Sequence, residues 1–255
     1  QFIVRRDNHK TVIAGYPWFL DWGRDTLIAA RGILAAGRTE TVFDLLSEFG
    51  RFEENGTLPN IIHGETVGNR DTADAPLWFC AAAADLADVK GVQTVLKHAC
   101  GDRTVKDVIL SILNGYRNGT PNGIRMNPRT GLIYCPSHYT WMDTNYPAGT
   151  PRIGYPVEIQ ALWIAALGFA AQTIDASFEE HRKRALESFL ELYPLSEGGL
   201  SDCLQNEDGS VQDDAVRPNQ LFAVTLGVLD EHPALAASVL ESCACLLQPG
   251  SIRSL

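Results

Sequence analysis

Apolar residues recur along this chain at helical spacing, and eight segments carry the pattern. Residues 26–36 form an Ala/Leu/Ile helix, with Asp25 placed to cap it and Gly37 to stop it. Residues 39–54 form a second helix, with Val42, Leu45, Leu46 and Phe49 on one face and Asn55-Gly56 at its end. A third covers 75–89. A fourth covers about 103–117, with Val105, Val108, Ile109 and Ile112 in phase. In the fifth, 156–174, Ile159, Leu162, Trp163, Ala166, Leu167 and Ala170 fall on one stripe. The remaining three cover 179–193, 218–229 (with Pro218 in its first turn) and 233–247. Strand patterns are scarce. FIVRR near the start reads as a strand, and 121–135 reads as a hairpin turned at Asn127-Pro128 and Thr130-Gly131.

The eight helices follow one another as four consecutive αα-hairpins, which predicts an all-α fold in a single domain over residues 1–255. Connections inside a pair are mostly short. Those before the odd-numbered helices, 15–25, 55–74, 119–155 and 194–219, are long and rich in aromatic and charged residues. Long structured loops in a compact domain are usually functional. If the hairpins close into a ring, the odd-numbered helices line its inside and these loops gather at one end, around one pocket.

Composition narrows the chemistry. With 45% hydrophobic and 20% charged residues the chain can bury a sizeable core. A net charge of −10 and the lack of a basic patch argue against nucleic acid as a partner. No apolar run is long enough to span a bilayer, and no signal peptide is visible in QFIVRRDNHK. The six cysteines form no CxxC pair, which argues against zinc. Cys80, Cys243 and Cys245 lie in Ala- and Leu-rich helical text and read as buried thiols of a reducing, cytoplasmic compartment. The chain opens inside an apparent strand and stops just after a helix, which suggests a fragment of a larger protein.

The loops carry residues suited to sugars, which offer an apolar ring face and hydroxyls. In GYPWFLDWGRDT, Trp18 and Trp22 can stack on a ring, while Asp21, Arg24 and Asp25 can hold hydroxyls. Asp25 also has the plain role of a helix cap. In the second loop, Asn60, His63, Asp71 and Asp74 are candidate hydroxyl contacts and Trp78 a candidate platform. In the third, Asp143 stands between Trp141 and Tyr146, and Glu158 opens an apolar helix. A carboxyl among aromatics can be held protonated and serve as a general acid, so Asp143 and Glu158 are candidate catalytic carboxylates. Glu158 in a first turn also suits the helix dipole. In the fourth loop, Arg217 and Asn219 precede a helix and are candidate substrate contacts, or simply its start.

The blocks GYPWFLDWGRDTLIAARGILAAGR, YTWMDT, TPRIGYPVEIQALW, VRPNQLFAVTL and LLQPGSIRSL resemble, in order, the amylo-α-1,6-glucosidase domain of glycogen debranching enzymes. The resemblance covers essentially the whole chain. It implies an α/α toroid of six hairpins, of which about four are present here. It also implies hydrolysis, with inversion, of α-1,6-linked glucose at branch points of glycogen or limit dextrin. Asp143 would be the general acid, Arg24 and Asp25 would hold the terminal glucose, and Trp22 and Trp141 would shape its pocket. The general base would lie beyond residue 255, and other domains of the parent chain would be partners. No metal or organic cofactor is implied, and water is the co-substrate. The family pattern after Trp-Met-Asp has Gly or Lys where this chain has Thr144. Two other readings stay open: a different toroid hydrolase of glucoamylase or trehalase type, and a carbohydrate-binding fragment without catalysis. A helical-repeat scaffold is disfavoured because the pairs share no fixed period.

Overall fold

The computed structural model describes residues 1–6, 8–15, 18–64, 66–144 and 149–254. The chain divides into two compact units, Gln1–Gly123 and Ile124–Leu255. Helices dominate both, as the periodicity predicts.

In the first unit a hairpin of β1 (Ile3–Arg6) and β2 (His9–Val12) packs on α2 (Thr39–Gly50), which packs on α1 (Gly23–Ala35). Leu45, Leu46 and Phe49 of the predicted α2 face are fully buried. Two-residue ladders follow, β3 (Ile62–His63) with β4 (Thr66–Val67) and β5 (Ala99–Cys100) with β6 (Arg103–Thr104). The other helices are α3 (Ala75–Lys90), the short α4 (Val92–Leu96) and α5 (Val105–Asn118). A reciprocal cap starts α5: the Thr104 hydroxyl accepts the Asp107 N–H, and the Asp107 carboxylate accepts the Thr104 N–H.

In the second unit β7 (Arg125–Met126) and β8 (Ile133–Tyr134) form the expected hairpin, with Asn127 Oδ1 accepting the Arg129 N–H in its turn. Strand β9 (Gly154–Pro156) runs directly into α6 (Val157–Thr173), which packs against α7 (Phe178–Leu192). Every residue from Val157 to Ile164 is buried, so the first half of α6 is covered on all sides. Its Gln160 bonds both backbone groups of Ile133, and Trp163 Nε1 donates to Gly131 O, so α6 also holds the hairpin. Strands β10 (Cys203–Gln205) and β11 (Val211–Asp213) complete a three-stranded sheet in the order β11-β10-β9. Helices α8 (Leu221–Thr225) and α9 (Pro233–Cys243) follow.

Several element ends differ from the periodic reading. Helix α1 begins two residues before Asp25, because Trp22 is extended (φ −87°, ψ 136°) in a bridge to Ile61 and the chain turns helical at once. Asp25 is therefore an exposed first-turn residue and not the cap. Helix α2 stops at Gly50, short of Glu54, which pairs with Thr57 instead. The segment 218–229 is a 3₁₀ turn over Pro218–Gln220 followed by α8, which ends before Gly227 at φ +74°. Helix α9 stops at Cys243, so Cys245 sits in a 3₁₀ turn and is exposed, while the other five cysteines are buried. No described helix is long and apolar enough to cross a membrane.

Two helical glycines give opposite expectations. A Cβ on Gly115 of α5 would meet the Gly56 Cα at 2.7 Å and the Asn55 O at 2.9 Å, both backbone atoms that cannot rotate away. A Cβ on Gly32 of α1 would meet nothing within 4 Å. Overpacking costs about 1–3 kcal/mol, against about 1 kcal/mol gained in helix propensity. Gly115→Ala is expected to lower the urea midpoint and Gly32→Ala to raise it, as read by circular dichroism.

Candidate active site

The sheet of the second unit builds a cluster of charges. Cys203 lies opposite Pro156 on one side and Asp213 on the other, so Asp202, Asp213 and the first turn of α6 come to the same end of the sheet. The carboxylates of Glu158, Asp202 and Asp213 are thereby crowded together, and cations must offset them. Arg152 supplies all five of its guanidinium N–H groups. Nη1–H and Nη2–H reach the two oxygens of Glu158, Nε–H reaches Asp202 Oδ2 at 2.7 Å, and further bonds go to Asp202 O at 2.9 Å and Thr140 Oγ1 at 3.2 Å. Arg217 Nη1 donates to Asp202 Oδ2 at 2.7 Å and Asp213 Oδ2 at 3.1 Å, while its buried Nε–H has no hydrogen-bond partner among the described residues.

Arg152, Glu158 and Asp202 are 5%, 2% and 2% exposed. Burial pushes the Glu158 carboxyl up from the ordinary glutamate value, and Arg152 opposes that rise. Burial works against the Arg152 charge as well, but the Glu158 and Asp202 carboxylates prevail and hold its pKa above the usual arginine value. The backbone at Arg152 is left-handed (φ +46°), a conformation costing roughly 1–2 kcal/mol for an L-residue, and the five side-chain bonds fix it there. Nearby Gly154 has φ +125°, and a Cβ there would sit 2.3 Å from the Leu204 carbonyl, so only glycine fits beneath β10.

The cluster reaches the three residues that precede Asp143. The Thr140 hydroxyl accepts from Arg152 and from the Met142 N–H at 3.3 Å. Trp141 Nε1 donates to Asn219 Oδ1 at 2.8 Å. Asn219 Nδ2 donates to Asp202 Oδ1 at 2.8 Å and lies 3.5 Å from Met142 Sδ. Trp141 keeps 38% of its surface exposed, and Asp143 next to it is half-buried. The structure thus brings Trp141, Asp143, Glu158, Arg217 and Asn219 into one neighbourhood. It does not leave them all open to a ligand: Glu158 has both oxygens on Arg152, and the Asn219 amide is engaged at both ends. Tyr146 lies outside the described residues.

In the first unit Arg24 Nε donates to Asp74 Oδ2 at 2.6 Å, and Thr72 Oγ1 donates to Asp74 Oδ1 at 2.7 Å. The candidates Arg24 and Asp74 are therefore partners of each other, joining the starts of α1 and α3. Asp21, 1% exposed, takes Arg6 Nε at 2.5 Å and Nη2 at 2.6 Å, and the Thr11 hydroxyl at 3.0 Å. It ties the first hairpin to the aromatic loop. Asn60 Nδ2 donates to Asn69 Oδ1 at 2.6 Å, and its carbonyl accepts the Gly23 N–H. Trp78 is buried in α3 at 3% exposure, which corrects its expected role as a platform: the start of α3 is apolar all round and the indole belongs to the core. Trp18, at 85% exposure, lies on the surface, and Trp22 is half-buried with its Nε1–H buried and lacking a hydrogen-bond partner among the described residues. His63, Asp71 and Asp25 are exposed.

Arg152, Asp202 and Arg6 escaped the sequence reading. Asp202 had a signal: a lone carboxylate in the apolar run GGLSDCL needs a buried cation. Arg152 stood six residues before a first-turn glutamate, but nothing local says that the two meet.

The model of the family described as amylo-alpha-1,6-glucosidase matches residues 1–255. No curated protein matches the chain significantly. Among solved structures, a metal-independent alpha mannosidase of Streptococcus pneumoniae, in a non-productive complex with alpha-1,6-mannobiose, superposes with a TM-score of 0.63 at 14% identity, over 98% of this chain and 70% of that one. A rhamnosidase from Klebsiella oxytoca with rhamnose bound gives 0.58 at 12% identity, over 87% of this chain. This chain spans 40% of that rhamnosidase. These likenesses show the fold, the helix-rich α/α-toroid class expected from the sequence.

The charge cluster generates a pH-dependent expectation. Arg152→Met leaves Glu158 and Asp202 buried without their main cation and is expected to cost about 3–5 kcal/mol at neutral pH. In the variant the opposition from Arg152 is gone, and only a backbone hydrogen bond still works against the upward push of burial on Glu158. A raised carboxyl is tolerated when protonated and loses that stability as pH rises through its folded value. The stability gap between wild type and variant should therefore narrow as pH falls towards the ordinary glutamate value of 4.5. Urea titrations across pH measure it, and a gap that widens on acidification contradicts the assignment.

Proposed function

This chain belongs to the amylo-α-1,6-glucosidase family, and we propose that it forms the core of a glycoside hydrolase domain that removes α-1,6-linked glucose from branch points of glycogen or limit dextrin in the cytoplasm. The observation that supports this most is the anchoring of the segment before Asp143. Thr140 and Trp141 each bond the buried cluster, and Met142 lies against it, so the carboxyl that follows is carried on a fixed support. Positioning to a fraction of an ångström is what acid catalysis needs.

In the proposed reaction Asp143 donates its proton to the glycosidic oxygen as the C–O bond to the anomeric carbon breaks. Water attacks that carbon from the opposite face, with inversion, and gives its proton to a second carboxylate. Glu158 is a poor candidate for that base, since Arg152 occupies both its oxygens; it supports the acid's segment instead. Trp141 offers a ring for stacking against the sugar. Arg217 contributes positive charge at the buried end of the site. On the first unit, exposed Trp18 and Asp25, and Arg24 on its Asp74 partner, are the proposed contacts to glucan hydroxyls and rings. Other domains of the parent chain are the proposed protein partners.

The test is glucose release from a glucosyl-branched limit dextrin by the protein containing this chain, as wild type and as Asp143→Asn. The variant is expected to lose about 10²–10⁴-fold in rate while glucan affinity and thermal midpoint hold. Full activity in the variant removes Asp143 from the acid role. Binding without release in the wild type favours the carbohydrate-binding reading.

A further inference from the structure

We infer that Asp202 is a positioning residue for Trp141, acting through the amide of Asn219, and that this chain fixes the ring on which a sugar stacks. The inference rests on the glycoside hydrolase reading of the site, and its first readout is independent of it.

Hydrogen-bond polarity sets the direction of the Asn219 amide. A carboxylate only accepts and an indole N–H only donates, whereas an amide does either, depending on which way it faces. Asp202 Oδ1 accepts from Asn219 Nδ2 at 2.8 Å, which forces the Asn219 oxygen to the other side, where Trp141 Nε1–H donates to it at 2.8 Å. Nothing else is needed to choose the amide's orientation. Asp202 is itself fixed, because Arg152 and Arg217 both donate to its other oxygen at 2.7 Å. The chain therefore runs from two buried cations through a carboxylate and an amide to an indole edge. Asp202 and Asn219 are 2% and 1% exposed, whereas Trp141 is 38% exposed. The rigid end is inside and the presented end is outside. The same amide also lies against Met142 Sδ, so the residue next to Asp143 shares the support.

Asp202→Asn tests this polarity. Its oxygen can remain on the two arginines, but its NH₂ then faces Asn219. The Asn219 amide must turn over, and it then presents N–H groups to the Trp141 N–H. Asn219→Ala removes the link while leaving every ion pair of Asp202 in place, and it serves if Asp202→Asn does not fold.

The experiment uses the ¹⁵N-labelled chain, whose five tryptophans give indole N–H resonances, with Trp141→Phe identifying one of them. In Asp202→Asn and in Asn219→Ala the Trp141 resonance is expected to move upfield and exchange faster with solvent, the other four staying in place. An unmoved Trp141 resonance overturns the inference. The second readout is kinetic, on glucosyl-branched limit dextrin. Loss of the hydrogen bond should raise KM about tenfold, beyond any fall in kcat from the loosened support of Asp143. In a Trp141→Phe background, Asp202→Asn should add nothing further to KM. Additive losses in both constants, tracking the folded fraction, overturn the positioning role. A wild type that neither binds nor cleaves the dextrin overturns the hydrolase reading, and the resonance shift still decides whether Asp202 sets Trp141.

Discussion

One guanidinium organises the second unit. Arg152 ties the loop before Asp143 to the first turn of α6 and the residue before β10, which the sheet already brings together. It does so from a buried position and a left-handed backbone, two unfavourable circumstances that the surrounding carboxylates offset. Magnitudes say why such a cluster is not mainly a device for stability. Desolvating each ion costs several kcal/mol, and apolar residues of similar volume often do as well or better. Apolar residues cannot, however, aim a threonine hydroxyl, an amide and an indole edge in fixed directions. Geometry, more than stability, is what the charges supply.

The first unit solves the same problem with other hubs. Its connecting loops have few ladder partners, yet their backbone groups must be satisfied once covered. Glu53 Oε1 accepts from the Gly56 N–H at 2.7 Å and the Ser111 hydroxyl at 2.8 Å, while its Oε2 takes Arg103 at 2.5 Å. Arg70 donates to the carbonyls of Thr57 and Phe52, both at 2.9 Å. Asp21 with Arg6 and Asp74 with Arg24 belong to the same set. Ionised side chains do for these loops what ladders do for sheets, and this explains the density of charge in segments that otherwise look like turns.

The helical layout was legible because burial follows period. Every residue of the stripes read for α2 and α6 is buried, and Gly37, at φ +75°, ends the α1 helix as expected. Element ends were less legible. An extended Trp22 pinned by Ile61 moved the start of α1, and a left-handed Gly227 cut short what looked like one helix over 218–229. The loops that carry polar clusters were found, but not the pairings within them. Asp21 and Asp74 read as hydroxyl contacts and Glu158 as a catalytic carboxylate, and each has an arginine partner. Such pairing depends on contacts far apart in sequence, and no local spacing encodes it. Trp78 was misread for a related reason: an aromatic beside polar text says nothing about which side of a helix it takes.

The sequence separation of those contacts bears on how the unit assembles. Arg152 meets Asp202 across 50 residues, and Trp141 meets Asn219 across 78. Closing such long segments is entropically unfavourable until α6 and α7 have formed and docked. The polar cluster thus belongs to the late steps of folding, after the apolar stripe of α6 is covered. Interactions absent from a folding transition state act mainly on the unfolding rate. The bonds that hold the support of Asp143 are therefore also a lock on the finished fold, slowing its opening more than they speed its formation.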